Sequence, residues 1–251
     1  MVVAEYLEAA LRRIIAAGEA QGVTLRALGG LAIHLHCPSA NHRALERCYP
    51  DIDLVTPRAH AARLEGVMVG LGYVPNRVFN TLNGDRRQMF FDVPHGGQVD
   101  VFIGDFEMAH RIPLARRLHL EPLTVPLAEL FLTKAQIVAL NPKDVRDMLA
   151  LLLDHAPGEG DTETINLGVI TALCARDWGL YTTVSLNLAR LEHAIVGGAV
   201  ALEAEAAALV LARIHAIRAA LEAAPKTLAW KLRARLGKRL RWYQEVEEVQ
   251  R

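Results

Sequence analysis

The 251-residue sequence predicts an α+β half followed by an all-helical half. Two observations carry this. Between residues 23 and 104, short β-branched or alternating stretches are separated by Gly-rich and Asn-Gly breaks. From about residue 126 onward, apolar residues recur at helical spacing in successive long stretches. The expected division is therefore an α+β domain over 1–125 and a helical domain over 126–251 that contributes to the site.

Taken in order, residues 4–21 read as an amphipathic helix with Leu7, Leu11, Ile14 and Ile15 on one side, stopped at Gly22. Val23 to Leu28 reads as a short strand that runs into the Gly29-Gly30 turn, and Leu31 to His36 as a short helix. Residues 37–50 mix Pro, Ser, Asn and charge, a loop composition. Asp51 to Thr56 alternates polar and apolar residues and reads as a strand. Pro57 opens a helix that ends near Gly72. Strands follow at 73–82, 86–93 and 98–104, with Asn83-Gly84 and Gly96-Gly97 as hairpin signals. Helices are then expected at 126–140, 142–155, 163–177, 180–196, 199–223 and 227–249, with the clearest break at Pro157 and Gly158 to Gly160.

Composition narrows the function classes. Lys plus Arg equals Asp plus Glu at 28 each, so overall charge names no partner and any nucleic-acid surface must be local. No uncharged apolar run reaches about 18 residues, so neither a membrane-spanning helix nor a membrane partner is expected. The N-terminus has helical spacing and no signal-peptide layout. Cys37, Cys48 and Cys174 are odd in number and unpatterned, which suits reduced thiols in a cytoplasmic protein.

The chemistry is concentrated in carboxylates. Asp51 and Asp53 sit two apart in a strand, so they point to one face, about 6.6 Å apart along it. Ile52 and Leu54 take the opposite, core face. Two acids so placed repel unless a cation joins them, and Mg²⁺ takes oxygen ligands of this kind while leaving positions for phosphate oxygens. Asp100 lies inside the apolar stretch Val99-Asp100-Val101-Phe102-Ile103. On a neighbouring strand it would complete a two-ion site; alone, it is also explained as an edge-strand charge. Gly29 and Gly30 let a backbone approach a phosphate at a helix N-terminus, although a Gly-Gly pair is more often a plain turn.

These elements together resemble the nucleotidyltransferase superfamily. Gly29-Gly30-Leu31-Ala32, then Arg47 four residues before Asp51-Ile52-Asp53-Leu54, then Val99-Asp100-Val101, is most similar to the branch with the AbiEii-type toxins of toxin–antitoxin systems. Lys134, followed by Lys143-Asp144-Val145-Arg146-Asp147, looks like that branch's helical motif. The resemblance spans residues 25–155 and implies a nucleotidyltransferase-like mixed sheet flanked by helices. It implies transfer of a nucleoside monophosphate from an NTP to an RNA or small-molecule hydroxyl, with release of pyrophosphate and two Mg²⁺ ions as cofactor. By the same resemblance Asp51 and Asp53 bind both ions, and Asp100 ligates one and helps activate the acceptor. Gly29, Gly30, Arg47, Lys134 and Lys143 hold the nucleotide, and Asp144 and Asp147 line it or the acceptor. An antitoxin protein becomes a partner. Tyr49-Pro50 departs from the small polar and acidic pair usual before the Asp-x-Asp. The alternative is a non-catalytic nucleotide- or partner-binding module on the same fold.

Other features remain open. Lys134, Lys143, Asp144 and Asp147 are explained either by a lysine acting on phosphate, oriented by Asp147, or by a solvated helix face with ordinary ion pairs. His34, His36, Cys37, His42 and Cys48 are metal-ligating types, but their spacing fits no standard zinc site. His110-Arg111 and Arg116-Arg117 suit phosphate or a solvated loop. Residues 226–241 carry seven cations and no acid, interleaved with Trp230, Trp242 and Tyr243. Such a helix suits RNA, an acidic partner or anionic lipid. It is also explained as a helix docked through Leu228, Leu232, Leu236 and Leu240, with the charges outside.

Overall fold

The computed structural model describes residues 2–245. The chain divides into two compact units. The first takes Met1–His36, Arg47–Glu107 and Ile112–Pro126; the second takes Cys37–Glu46, Met108–Arg111 and Leu127–Arg251. Two short segments that precede residue 126 therefore belong to the second unit.

The first unit is a five-stranded mixed sheet flanked by helices. Its elements in chain order are α1 (Val2–Ala20), β1 (Arg26–Leu28), α2 (Gly29–His36), β2 (Asp51–Thr56), α3 (Ala61–Gly70), β3 (Val74–Pro75), α4 (Arg77–Asn83), β4 (Arg87–Asp92), β5 (Gly97–Ile103) and β6 (Phe106–Glu107). The spatial order is β1-β2-β5-β4-β3. Only the central β2–β5 pair is parallel, while β1, β4 and β3 join antiparallel. The outer edge of β1 is covered: Ala27 donates to Leu123 O and accepts from Val125 N–H at 2.8 and 2.9 Å. The amphipathic reading of α1 holds, because Leu7, Leu11, Ile14 and Ile15 are all buried. So does the hairpin at Gly96-Gly97, where Gly96 takes φ +67°.

The stretch expected as a strand over 73–82 is instead the two-residue β3 followed by α4. Asn76 is the reason: its side chain caps the helix by accepting from Phe79 N–H at 3.1 Å. Asn80 then imitates a strand partner, accepting from Met89 N–H at 2.7 Å and donating to Met89 O at 3.2 Å. Asn83-Gly84 accordingly ends a helix rather than turning a hairpin.

The second unit is mostly helical. It holds β7 (Arg111–Ile112, whose second residue falls in the first unit), α5 (Leu127–Ala135), α6 (Pro142–Asp154), β8 (Ala156–Gly158), β9 (Thr164–Asn166), α7 (Leu167–Cys174), α8 (Trp178–Val196), α9 (Ala204–Ala223) and α10 (Leu228–Leu236). Within this unit α5 is the central helix, packed by α6, α7, α8 and β9 and buried at every position from Leu127 to Thr133. Asn187 caps its C-terminal end, donating to the carbonyls of Ala135 and Ile137 at 2.9 and 2.7 Å. The break expected at Pro157 is β8, which pairs in parallel with β9, so the helix expected from 163 begins at Leu167. No helix among the described residues is long and apolar enough to cross a membrane.

The last helix differs most from expectation. It ends at Leu236, where Gly237 turns to φ +57°; residues 246–249 of the expected helix lie outside the described residues. The leucine stripe does not dock it, since Leu228, Leu232, Leu236 and Leu240 are all exposed. Aromatic and cation–π contacts with α8 hold it instead. Trp230 meets Tyr181 edge-on at 5.3 Å, and the Arg233 guanidinium lies 4.6 Å above Trp178. Arg233 also donates to the carbonyls of Gly237 and Leu240, both at 2.9 Å.

Candidate active site

Strand geometry sets out the carboxylates. In β2, Ile52 and Leu54 are buried and Asp51 and Asp53 are half-buried on the other face. The parallel register matches Asp51 with Gln98 and Asp53 with Asp100. Gln98 and Asp100, two apart in β5, thus lie on the same face as the Asp51–Asp53 pair.

α2 opens directly over this face. Gly29 takes φ +73°, and a Cβ placed there would fall 2.3 Å from Asp53 Oδ2. At Gly30 a Cβ would fall 1.6 Å from Arg47 Nη2. Gly29 is therefore required by its backbone and by close approach to a carboxylate, while Gly30 leaves room for the tip of a guanidinium. Arg47 is held there by Tyr49, whose buried ring lies 4.4 Å below its guanidinium, and by a 2.9 Å bond to Cys48 O. Tyr49 in turn meets His34, one helical turn beyond Gly30, at 4.8 Å. His34 Nδ1 is buried with no hydrogen-bond partner among the described residues. Burial, with a smaller push from Arg47, lowers its pKa and favours the neutral ring. Tyr49, a departure in sequence, is thus a positioning residue for Arg47.

Asp100 has a partner that sequence reasoning missed. It is 1% exposed, and Arg87 of β4 grips it by a two-point fork, Nε to Oδ1 at 3.0 Å and Nη2 to Oδ2 at 2.8 Å. Gln98 adds a third bond to Oδ2 at 2.6 Å. Two rings lie near the guanidinium, Phe102 at 5.1 Å and Phe79 at 5.8 Å. Only the antiparallel β4–β5 register brings Arg87 here. Gln98 carried the better signal, since it stands two before Asp100 in one strand.

The second unit gathers Lys134, Asp144 and Asp147 and leaves Lys143 out. Asn141 caps α6 by accepting from Lys143 and Asp144 N–H at 2.9 and 3.0 Å. Asp144 and Asp147, one turn apart, then face inward and both are buried. Lys134, in the last turn of α5, reaches both at 2.9 Å. Burial pushes its pKa down, but the two carboxylates outweigh that and hold it above the usual lysine range. Asp144 Oδ2 is buried without a hydrogen-bond partner among the described residues. The solvated-face reading of this cluster is overturned by burial. Lys143 is exposed, and Lys134 is the lysine that meets Asp147.

The remaining candidates separate. His36 bonds Thr124 at 2.6 Å, Cys37 and Cys174 are buried free thiols, and Cys48 is exposed. His110 is buried and bonds Thr183 at 2.8 Å. Among the described residues, no group of three or more His, Cys, Asp or Glu side chains is arranged around a common metal position.

No family model and no curated protein matches the chain. Among solved structures it is similar to the solution structure of the antibiotic-resistance factor ANT(2'')-Ia at 16% identity, over 86% of this chain and 96% of that chain, with a TM-score of 0.37. At that level the likeness assigns no residue and no role.

Proposed function

We propose that this chain is a Mg²⁺-dependent nucleotidyltransferase that moves a nucleoside monophosphate from an NTP to a hydroxyl acceptor and releases pyrophosphate. One observation carries the reading: Asp51 and Asp53 share a strand face with Asp100 in register, directly under a glycine turn that keeps room for a guanidinium. Asp51 and Asp53 are hard oxygen donors at a backbone cradle, and they fit a divalent ion. Such an ion supplies charge neutralisation on the phosphates and activation of the attacking oxygen. The amides at the start of α2 and the Arg47 guanidinium bind phosphate oxygens. Tyr49 keeps Arg47 oriented. Lys134, locked by Asp144 and Asp147 within the second unit, has its charge answered there.

The acceptor is an RNA end or a small hydroxylated molecule. RNA is supported by the cations that α10 and its continuation turn outward, among them Lys231, Arg235 and Lys238. Base stacking there is not, because Trp230 and Trp242 are engaged inside the unit with Tyr181 and Trp178. The likeness of motifs to AbiEii-type toxins would make an antitoxin protein the partner. The second reading, a non-catalytic nucleotide-binding module, is favoured by one observation: both oxygens of Asp100 are already bonded within the protein.

The test is incubation with Mg²⁺, each labelled NTP in turn, and either total RNA or a panel of small hydroxylated acceptors. Label is expected in the acceptor, and Asp51→Asn with Asp53→Asn should abolish it without unfolding. Tight Mg²⁺-dependent NTP binding with no transfer would select the non-catalytic module. Absence of NTP binding would remove both readings.

A further inference from the structure

Asp100 is expected to be a ligand of the second metal ion, yet it arrives with a counter-charge already attached. A carboxylate offers about four lone-pair positions. Three donors occupy Asp100: Arg87 Nε on Oδ1, and Arg87 Nη2 and Gln98 Nε2 on Oδ2. A forked Arg–carboxylate pair is both strong and geometrically selective. This one is also shielded, with Asp100 at 1% and Arg87 at 23% side-chain exposure, and the Phe79 and Phe102 rings lie near the guanidinium. A divalent ion placed on Asp100 would face the guanidinium at short range, cation against cation, at a site where water screens little.

We propose that Arg87 is a resident cation that stands in for the second metal ion, so that the nucleotide-free protein loads a single divalent ion, on Asp51 and Asp53. A second ion reaches Asp100 only when the Arg87 fork has opened. Arg87 is thus a positioning residue that decides how many ions the site carries, and the neighbouring rings set how readily it lets go. This rests on the proposed reading of Asp51 and Asp53 as metal ligands and deepens it.

The probe is Mn²⁺ alone, counted by titration with electron paramagnetic resonance detection on the full chain. The native protein should saturate with a single ion. Arg87→Gln keeps a hydrogen-bond donor near Asp100 but removes the charge, and should admit a second ion. Adding Asp100→Asn to it should return the count to a single ion. Phe79→Ala, which leaves the buried ion pair intact and removes only one of the rings beside the guanidinium, should admit a second ion at Mn²⁺ levels where the native chain still holds one. It keeps the test open if Arg87→Gln fails to fold. Two ions on the native protein, or a single ion on a folded Arg87→Gln and an unmoved Phe79→Ala, would overturn the role of Arg87 and leave the Asp51–Asp53 site standing. If no variant binds Mn²⁺ at all, the metal-site reading itself falls and this inference falls with it.

Discussion

The chain holds two clusters built from the same residue types, one on strands and one on helices, and they end in opposite states. On β2 and β5, Asp51 and Asp53 stay half-buried beside the Arg-paired Asp100. Between α5 and α6, Asp144 and Asp147 are buried and share Lys134 at 2.9 Å each. Spacing explains the difference. Alternate residues of a strand stand about 6.6 Å apart along it and present their carboxylates to the sheet's half-buried face. Helical residues three apart bring their Cβ atoms within about 5–6 Å and close around a lysine. The strand cluster stays at the half-buried edge of its sheet; the helix cluster is closed into the interior around Lys134 and becomes a rigid fixture.

Four substitutions break or sharpen that contrast. Lys134→Met strands two carboxylates in the interior and should lower stability by about 3–5 kcal/mol in chemical unfolding. A loss under about 1 kcal/mol would mean the cluster is solvated after all. Asp53→Asn should do the reverse. The transfer rate should fall about 1000-fold, or about 4 kcal/mol of barrier, while the unfolding midpoint barely moves. If Asp53→Asn destabilises as much as Lys134→Met, the two clusters are alike and both are structural.

Gly29→Ala sits between these extremes. The backbone there is at φ +73° and the new methyl would meet Asp53, so it should cost about 1–3 kcal/mol of stability. Gly30→Ala meets only the mobile tip of Arg47. It should leave stability nearly unchanged and raise the KM for NTP.

A modest effect is expected at a third polar cluster, where Tyr6 donates to Asp92 and His95 bonds Asp92 at 3.0 Å. Burial, then the Asp92 contact, pushes the Tyr6 pKa up from 10.0 to about 12. That raised value contributes stability that is full below pH 10 and is lost as pH rises toward about 12. For Asp92, burial raises the pKa, but hydrogen bonds from Tyr6 and His95 outweigh it and hold the carboxyl below its ordinary 3.8. Its contribution is present above that value and is lost as pH falls through the lowered one. Tyr6→Phe should cost about 1 kcal/mol near neutral pH and flatten the alkaline limb. An unchanged alkaline limb would show that Tyr6 is not the titrating group.

Much of this was legible along the chain. The period-two face of Asp51–Thr56, the helical stripe of residues 7–15 and the glycine turn at 29–30 were all read correctly, because each depends on residues close in sequence. The α+β class, strands first and helices later, followed from the same periodicity, whereas the mixed sheet was implied by the resemblance of motifs. The misreadings share a cause. The alternation in 73–82 imitates a strand until Asn76 and Asn80 are seen to cap a helix and pair with Met89. The leucines spaced by four in 228–240 imitate a docking stripe until Trp178 and Tyr181 of α8 claim the other side of the helix.

The sequence by itself determined which residues alternate, where the chain turns, and that Asp51 and Asp53 must share a face, since backbone geometry repeats over two to four residues. Only the tertiary structure decided which charge answers which. Arg87 reaches Asp100 through the register of two antiparallel strands, and Lys134 reaches Asp144 and Asp147 from a different helix. A counter-charge is chosen by distance in space, which local periodicity does not encode.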